Sequence, residues 1–505
     1  MPNFEAAYAE LIRRVKEAAL VSSCGAVLGW DERTYMPRQG SAFRGEQMAL
    51  LARLAHEMLT SPQIGECLAA LEGSPLVADR ESDAAANVRE IRRIYDRAVK
   101  LPKELVEELA RTTTQAQGIW QEARQANDFP KFLPWLEKIV SLKRQEAQAV
   151  GYRDHPYDAL LDEYEPGATT NEIRQVFAAL AADLVPLIEA IQGSPRKPPR
   201  EILEREYPVE LQKVFSQSAA AAIGFDFERG RLDVTTHPFC SGIGPGDCRL
   251  TTRYNPRFFN EAFFGTLHES GHGIYEQGLE PDHFGTPRGS AASLGIHESQ
   301  SRLWENQVGR GRPFWEHFFP RARQVFVHSL AGVELNDWLF AINEVKPSFI
   351  RVEADEATYN LHIILRFELE QALLTADLKP ADVPGAWREK FRKLLGIVPP
   401  DDKLGCLQDI HWSMGGMGYF PTYTLGNLYA AQFMEQARND LPGLDDDFRR
   451  GEFGRLKGWL NEKIHRPGQK HRANDLCRRV TGAPLRHEPL IGYLRQKYGE
   501  HYAVP

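Results

Sequence analysis

"GTLHESGHGIYEQG", residues 265–278, carries two histidines four positions apart, with a glutamate directly after the first. On an α-helix, positions i and i+4 lie one above the other on the same face, so His268 and His272 could address one cation. Glu269 sits about 100° further round the helix, close enough to hold a water beside that cation. Two imidazoles with this acid between them form the H-E-x-x-H arrangement of zinc hydrolases. The pattern is incomplete, because such a centre needs a third ligand and a place for substrate.

Glu276 shares the histidine face but lies about 12 Å along the axis from His268, too far for one ion to hold all three at roughly 2 Å each. The longer pattern H-E-x-x-H-x-x-G-x-x-H is excluded, since Tyr275 and Gly278 stand where its Gly and last His belong. The third ligand therefore comes from another element. Beyond Gly278 and Pro281 the chain crosses a Gly/Pro-rich loop and restarts at "SAASLGIHESQSRLWENQ", where Glu298 opens a second helical pattern and is placed to reach back. His297 is the rival ligand, and a polar pair on a solvated helix is the plain alternative to both. Glu276 and Glu305 read as supporting or ion-pair groups. Gly271 and Gly273 sit within one helical turn, where each glycine costs roughly 1 kcal/mol relative to alanine, so something must approach the backbone closely there.

The bulk numbers set limits. The chain has 505 residues, 42% hydrophobic and 26% charged, which fits a soluble globular protein with a sizeable core. A formal charge of −8 argues against a general nucleic-acid or anionic-membrane binder. The first twenty residues place Phe4, Tyr8, Leu11 and Val15 at helical spacing, unlike a signal peptide. No continuous apolar run approaches the roughly 18 residues of a membrane span. Six cysteines without a C-x-x-C pair read as reduced thiols. A cytoplasmic location is the resulting expectation.

Residues 4–150 read as successive amphipathic helices, with Pro102 and Pro134 at helix starts. "TTNEIRQVFAALAADLVPLIEAIQ" continues the pattern, and 193–210 is the clearest loop. After Gly224, "LDVTT" and "RLTTRY" read as two strands separated by a Gly/Pro-rich loop. Helices then dominate to the end. The expectation is a mainly α protein with a small β-sheet beside the H-E-x-x-H helix. It forms a single 1–505 unit, with 1–224 mostly helical and 225–505 carrying the chemistry.

Several stretches together resemble the carboxypeptidase Taq family, the M32 metallocarboxypeptidases. They are "HPF" (237–239), "DCRLT" (247–251), "HESGH" (268–272), "HESQ" (297–300), "IRVEAD" (350–355) and "GCLQDIHW" (405–412), with "LGWDERTYMPRQG" (28–40) and "YNLHIILRFELE" (359–370) in support. The resemblance runs over essentially the whole chain. It implies a neurolysin-like helical peptidase fold with a long substrate groove, a homodimer, zinc or sometimes cobalt, and broad removal of carboxy-terminal residues from peptides. It also implies His268, His272 and Glu298 as metal ligands and Glu269 as catalytic base.

The related peptidases place a His and a Tyr where "HWSMGGMGYFPTY" supplies His411 and Tyr423, the expected donors to the oxyanion, with Tyr419 as the rival tyrosine. A terminal carboxylate suits the forked guanidinium of arginine. Arg351 and Arg249 are the candidates, with Arg253 third, although Arg351 could instead pair with Glu353 or Asp355, and Arg249 with Asp247. His237 would line the site. "RLTTRY" could offer an exposed strand edge to an extended peptide. Two other readings share these residues: an oligoendopeptidase with the same metal site, and a non-catalytic helical peptide-binding protein. The retained Glu269 speaks against the second, since a purely structural site needs no base.

Overall fold

The computed structural model describes residues 3–504. Helices dominate, and the β-structure among the described residues is one three-stranded sheet. The chain divides into two compact units. The first comprises the chain up to Val99, Pro199–Ile342 and Phe433–Gly482; the second comprises Lys100–Pro198, Asn343–Gln432 and the chain from Ala483.

In the first unit, helix Phe4–Thr34 runs well past its predicted end at Leu20 and carries the "LGWDERT" stretch within it. Its apolar stripe, Leu11 and Val15, packs with Ile64, Leu68 and Leu71 of helix Pro62–Leu71 and with Val88 and Ile91 of helix Asp83–Lys100. A second core forms round helix Phe259–Gly278, whose Phe259 and Phe263 stack at 5.1 Å and meet Trp315, Trp338 and Phe326 edge-on or tilted. Such pairs contribute about 0.5–1.5 kcal/mol each beyond their buried area. This cluster anchors the amino-terminal half of the H-E-x-x-H helix.

The sheet lies beside that helix, as expected, but has three strands rather than two. Strands β1 (Gly230–Val234), β2 (Cys240–Gly244) and β3 (Asp247–Thr252) lie in the order β1-β3-β2. β1 is parallel to β3, whereas β2 is antiparallel to it with a register shift at Gly242/Gly244. "CSGIG" reads as loop because Gly and Ser have poor strand propensity; pairing to β3 and packing against the metal-site helix override it. The order also corrects the expectation that "RLTTRY" presents an open edge. β3 is the central strand, so the free edges belong to β1 and β2.

In the second unit, Thr169 and Glu172 form a reciprocal capping box at the start of helix Thr170–Gly193. This is the one described helix with the length and hydropathy of a membrane span, yet Ile173, Phe177, Leu180, Leu184, Ile188 and Ile191 are buried. Pro102 caps helix Lys103–Ala126, as its sequence predicts. Pro134 does not start a helix. Asp128 caps helix Phe129–Val150 and Pro130 takes the tolerated early position, leaving Pro134 inside.

Candidate metal centre

The H-E-x-x-H helix and helix Leu294–Arg302 cross at backbone contact. A Cβ on Gly271 would lie 2.5 Å from the Gln300 carbonyl oxygen and 2.6 Å from Ser301 Cα. A Cβ on Gly273 would lie 2.6 Å from the Phe225 ring and 2.9 Å from Leu250 of β3. The two glycines thus admit the second ligand helix on one side and the sheet on the other. The neighbour at Gly271 is backbone and cannot swing aside. Gly271→Ala is therefore expected to cost about 1–3 kcal/mol by overpacking and to push Glu298 away from the histidines. A lower melting temperature together with weaker metal binding in chelator competition checks this.

Ser293 caps the second helix through its side chain, which accepts from Ile296 N–H. The helix widens into π-type turns at Leu303–Val308, the kind of irregularity that often marks functional sites. From these two helices His268, His272 and Glu298 converge, one donor atom from each lying within 4.8 Å of the others. His268 Nε2 is 3.6 Å and His272 Nε2 is 3.3 Å from the same Glu298 oxygen. Tetrahedral ligands at 2.0–2.1 Å from one ion lie about 3.4 Å apart, close to the distance of each imidazole from the carboxylate. The imidazole hydrogens fit as well. His268 Nδ1 lies 2.9 Å from Glu305 and His272 Nδ1 lies 3.1 Å from the His297 carbonyl, both acceptors, which frees each Nε2 lone pair for metal.

His297 is near but turned away, with its Nε2 2.8 Å from Glu276. Among the described residues this triad is the only cluster of three or more such side chains with metal-ligand spacing. Asp409 and His411 form no second site of that kind.

Burial pushes the Glu269 carboxyl up to about 7, with the neighbouring imidazole of His268 pulling the other way. Burial pushes His272 down to about 3, keeping it neutral as a ligand must be. Burial opposes ionisation of Glu298, but Arg302 and the two imidazoles overcome it and hold the carboxyl well below its usual range. Arg302 donates to Glu298 at 2.7 Å and lies 3.3 Å from Glu305, tying Glu298 to the group behind His268. Sequence reading missed Arg302, although its i+4 spacing from Glu298 was a usable signal.

Of the substrate candidates in this unit, Arg249 forms a two-point pair with Asp247 and stacks over Trp30 at 4.2 Å. That stacking joins the "LGWDERT" and "DCRLT" motifs. Arg253 pairs with Glu261. His237 is exposed in the connection between β1 and β2.

In the second unit, "IRVEAD", "YNLHIILRFELE" and "GCLQDIHW" meet in one buried polar cluster. Arg351 pairs with Asp409 rather than with Glu353 or Asp355 and also donates to Tyr359 at 2.9 Å. Arg366 takes the other Asp409 oxygen at 2.6 Å. Gln408 accepts from Arg351 N–H and donates to the Phe349 carbonyl, clamping the two loops. Glu370 accepts from Tyr157, Trp412 and Gly418 N–H, while burial pushes its carboxyl up to about 7. His411 Nε2 lies 3.2 Å from the Tyr423 hydroxyl, and burial pushes the imidazole down to about 4. His411 Nδ1 is buried with no partner among the described residues, a polar atom left over for a ligand. Tyr419 lies against both, with ring centroids 5.3 Å from His411 and 5.4 Å from Tyr423.

The comparisons with known proteins agree. Residues 10–498 match the family described as carboxypeptidase Taq (M32) metallopeptidase. Thermostable carboxypeptidase 1 of Thermus thermophilus is 51% identical over 99% of each chain, and carboxypeptidase 1 of Bacillus subtilis is 38% identical over 99% of each. The solved M32 carboxypeptidase from Deinococcus radiodurans superposes with a TM-score of 0.95 at 40% identity, covering 99% of this chain and 100% of that one. A carboxypeptidase structure from Pyrococcus furiosus gives 0.94 at 35% identity, covering 99% of both. With relatives of such identity along its whole length, the chain belongs to the carboxypeptidase Taq (M32) family of metallocarboxypeptidases.

Proposed function

We propose that this carboxypeptidase is a zinc enzyme, able to use cobalt instead, that trims residues from the free carboxyl ends of peptides with broad specificity. We further propose that it works as a homodimer in the cytoplasm. The observation that carries the reading is the convergence of His268 and His272 on one Glu298 oxygen, at 3.6 and 3.3 Å, beside the buried acid Glu269. A divalent cation in such a site supplies Lewis-acid polarisation and lowers the pKa of water toward roughly 7.

The residues of the chain do the rest. Glu269 accepts a proton as water adds to the scissile carbonyl and passes it to the departing amine, so one proton is moved and none is lost. Glu305 and the His297 carbonyl hold the ligand imidazoles in place. His411 and Tyr423 donate hydrogen bonds to the developing oxyanion, each such donor lowering the barrier by about 3–4 kcal/mol. Arg351, Arg249 and His237 contact the peptide. Arg351 is already paired with Asp409 and Arg249 with Asp247, so whichever of the two recognises the terminal carboxylate uses the N–H groups its partner leaves over.

The test is a time course on one peptide in two forms, read by mass spectrometry. Stepwise loss from the free carboxyl end, with the carboxamide form untouched, is expected. Internal fragments from both forms would replace this reading with an oligoendopeptidase.

A further inference from the structure

One arrangement of hydrogens behind His272 leaves its Nε2 bare for a cation. Glu276 Oε1 lies 2.8 Å from His297 Nε2, and a carboxylate can only accept. A neutral His297 therefore carries its proton on Nε2 and leaves Nδ1 bare. That Nδ1 lies 2.6 Å from Nδ1 of His272, and the His297 carbonyl lies 3.1 Å from the same atom. Facing two acceptors, His272 keeps its proton on Nδ1, and its Nε2 lone pair points to Glu298 at 3.3 Å.

Packing holds the chain of contacts in place. The His272 and His297 rings stack at 4.5 Å and 27°, and Tyr275 covers His297 at 5.3 Å and 32°. Strand β2 presses on the carboxylate, since a Cβ on Gly242 would lie 2.2 Å from the other Glu276 oxygen.

We propose that Glu276 and His297 are positioning residues that hold His272 in the tautomer whose Nε2 binds the cation. The proposal rests on His268, His272 and Glu298 being the metal ligands. Without Glu276, His297 is free to carry its proton on Nδ1, where it opposes the Nδ1 proton of His272 and favours the tautomer that cannot bind metal. Replacing His297 by Phe keeps the stack, removes the competing proton and leaves the backbone carbonyl to fix His272. The two residues should thus act non-additively.

The experiment measures zinc dissociation constants of the full-length protein by competition with a chromophoric chelator, with melting temperatures of the metal-free forms alongside. Glu276→Ala is expected to weaken zinc binding by about 10–100-fold, and the Glu276→Ala/His297→Phe double variant to bind more tightly than Glu276→Ala alone. The metal-free melting temperatures should stay close to that of the parent. Losses that simply add in the double variant would overturn the proposal, as would a Glu276→Ala protein that melts lower but binds zinc normally. Failure of the ligand assignment looks different: His272→Ala would bind zinc as tightly as the parent, whatever the Glu276 variants did.

Discussion

Glu269→Gln is expected to retain one metal ion per chain and to lose about 10²–10⁴-fold in kcat, the usual contribution of a positioned general base. Glutamine keeps the size and one carbonyl oxygen of the side chain, so the fold and the three ligands are undisturbed. It cannot take up the proton that water must lose. The carboxyl belongs to a buried side chain whose burial pushes it up to about 7, whereas a neighbouring cation favours the ionised, basic form. Metal analysis and turnover of a free-carboxyl peptide check the two halves separately. Unchanged turnover would remove Glu269 from the mechanism, and lost metal would make it a structural part of the site.

Glu298→Ala should have an equally large effect by another route. It removes the ligand that both imidazoles face, and it uncovers Arg302, which donates to that carboxylate at 2.7 Å. A guanidinium facing the empty ligand position repels a dication, so the variant loses both an attraction and a shield. Ligand binding stabilises a fold by about 4 kcal/mol at a concentration a thousand times the dissociation constant. Zinc should therefore raise the melting temperature of the parent markedly and that of Glu298→Ala hardly at all. Equal shifts in the two proteins would show that the ion binds elsewhere.

What could be read from the sequence divides by range. His268 and His272 were legible because i and i+4 on one helix must face together, whatever the tertiary structure. Gly271 and Gly273 announced close approach, although the neighbours, Ser301 and Leu250, come from other elements. Spacing could not separate Glu298 from His297, because the two are adjacent in sequence. The crossing of the helices brings a Glu298 oxygen to 3.6 and 3.3 Å from the two imidazoles and turns His297 Nε2 toward Glu276.

Arg351 shows the limit from the other side. Its local acids, Glu353 and Asp355, were reasonable partners, yet its carboxylate is Asp409, 58 residues on. Only the folded second unit brings these two together. β2 was missed for a related reason, as "CSGIG" is a strand only because β3 offers it a partner. The overall mainly helical character was visible in periodicity, while the family came from six motifs in order and not from any one of them.

On this reading a single catalytic cation sits between the two helices. The most direct measurement is a crystal of the zinc-loaded protein with diffraction recorded on both sides of the zinc absorption edge. One anomalous peak about 2 Å from His268 Nε2, His272 Nε2 and a Glu298 oxygen is the predicted result. A peak ligated by His297 in place of Glu298, or one lying away from His268 and His272, would contradict it.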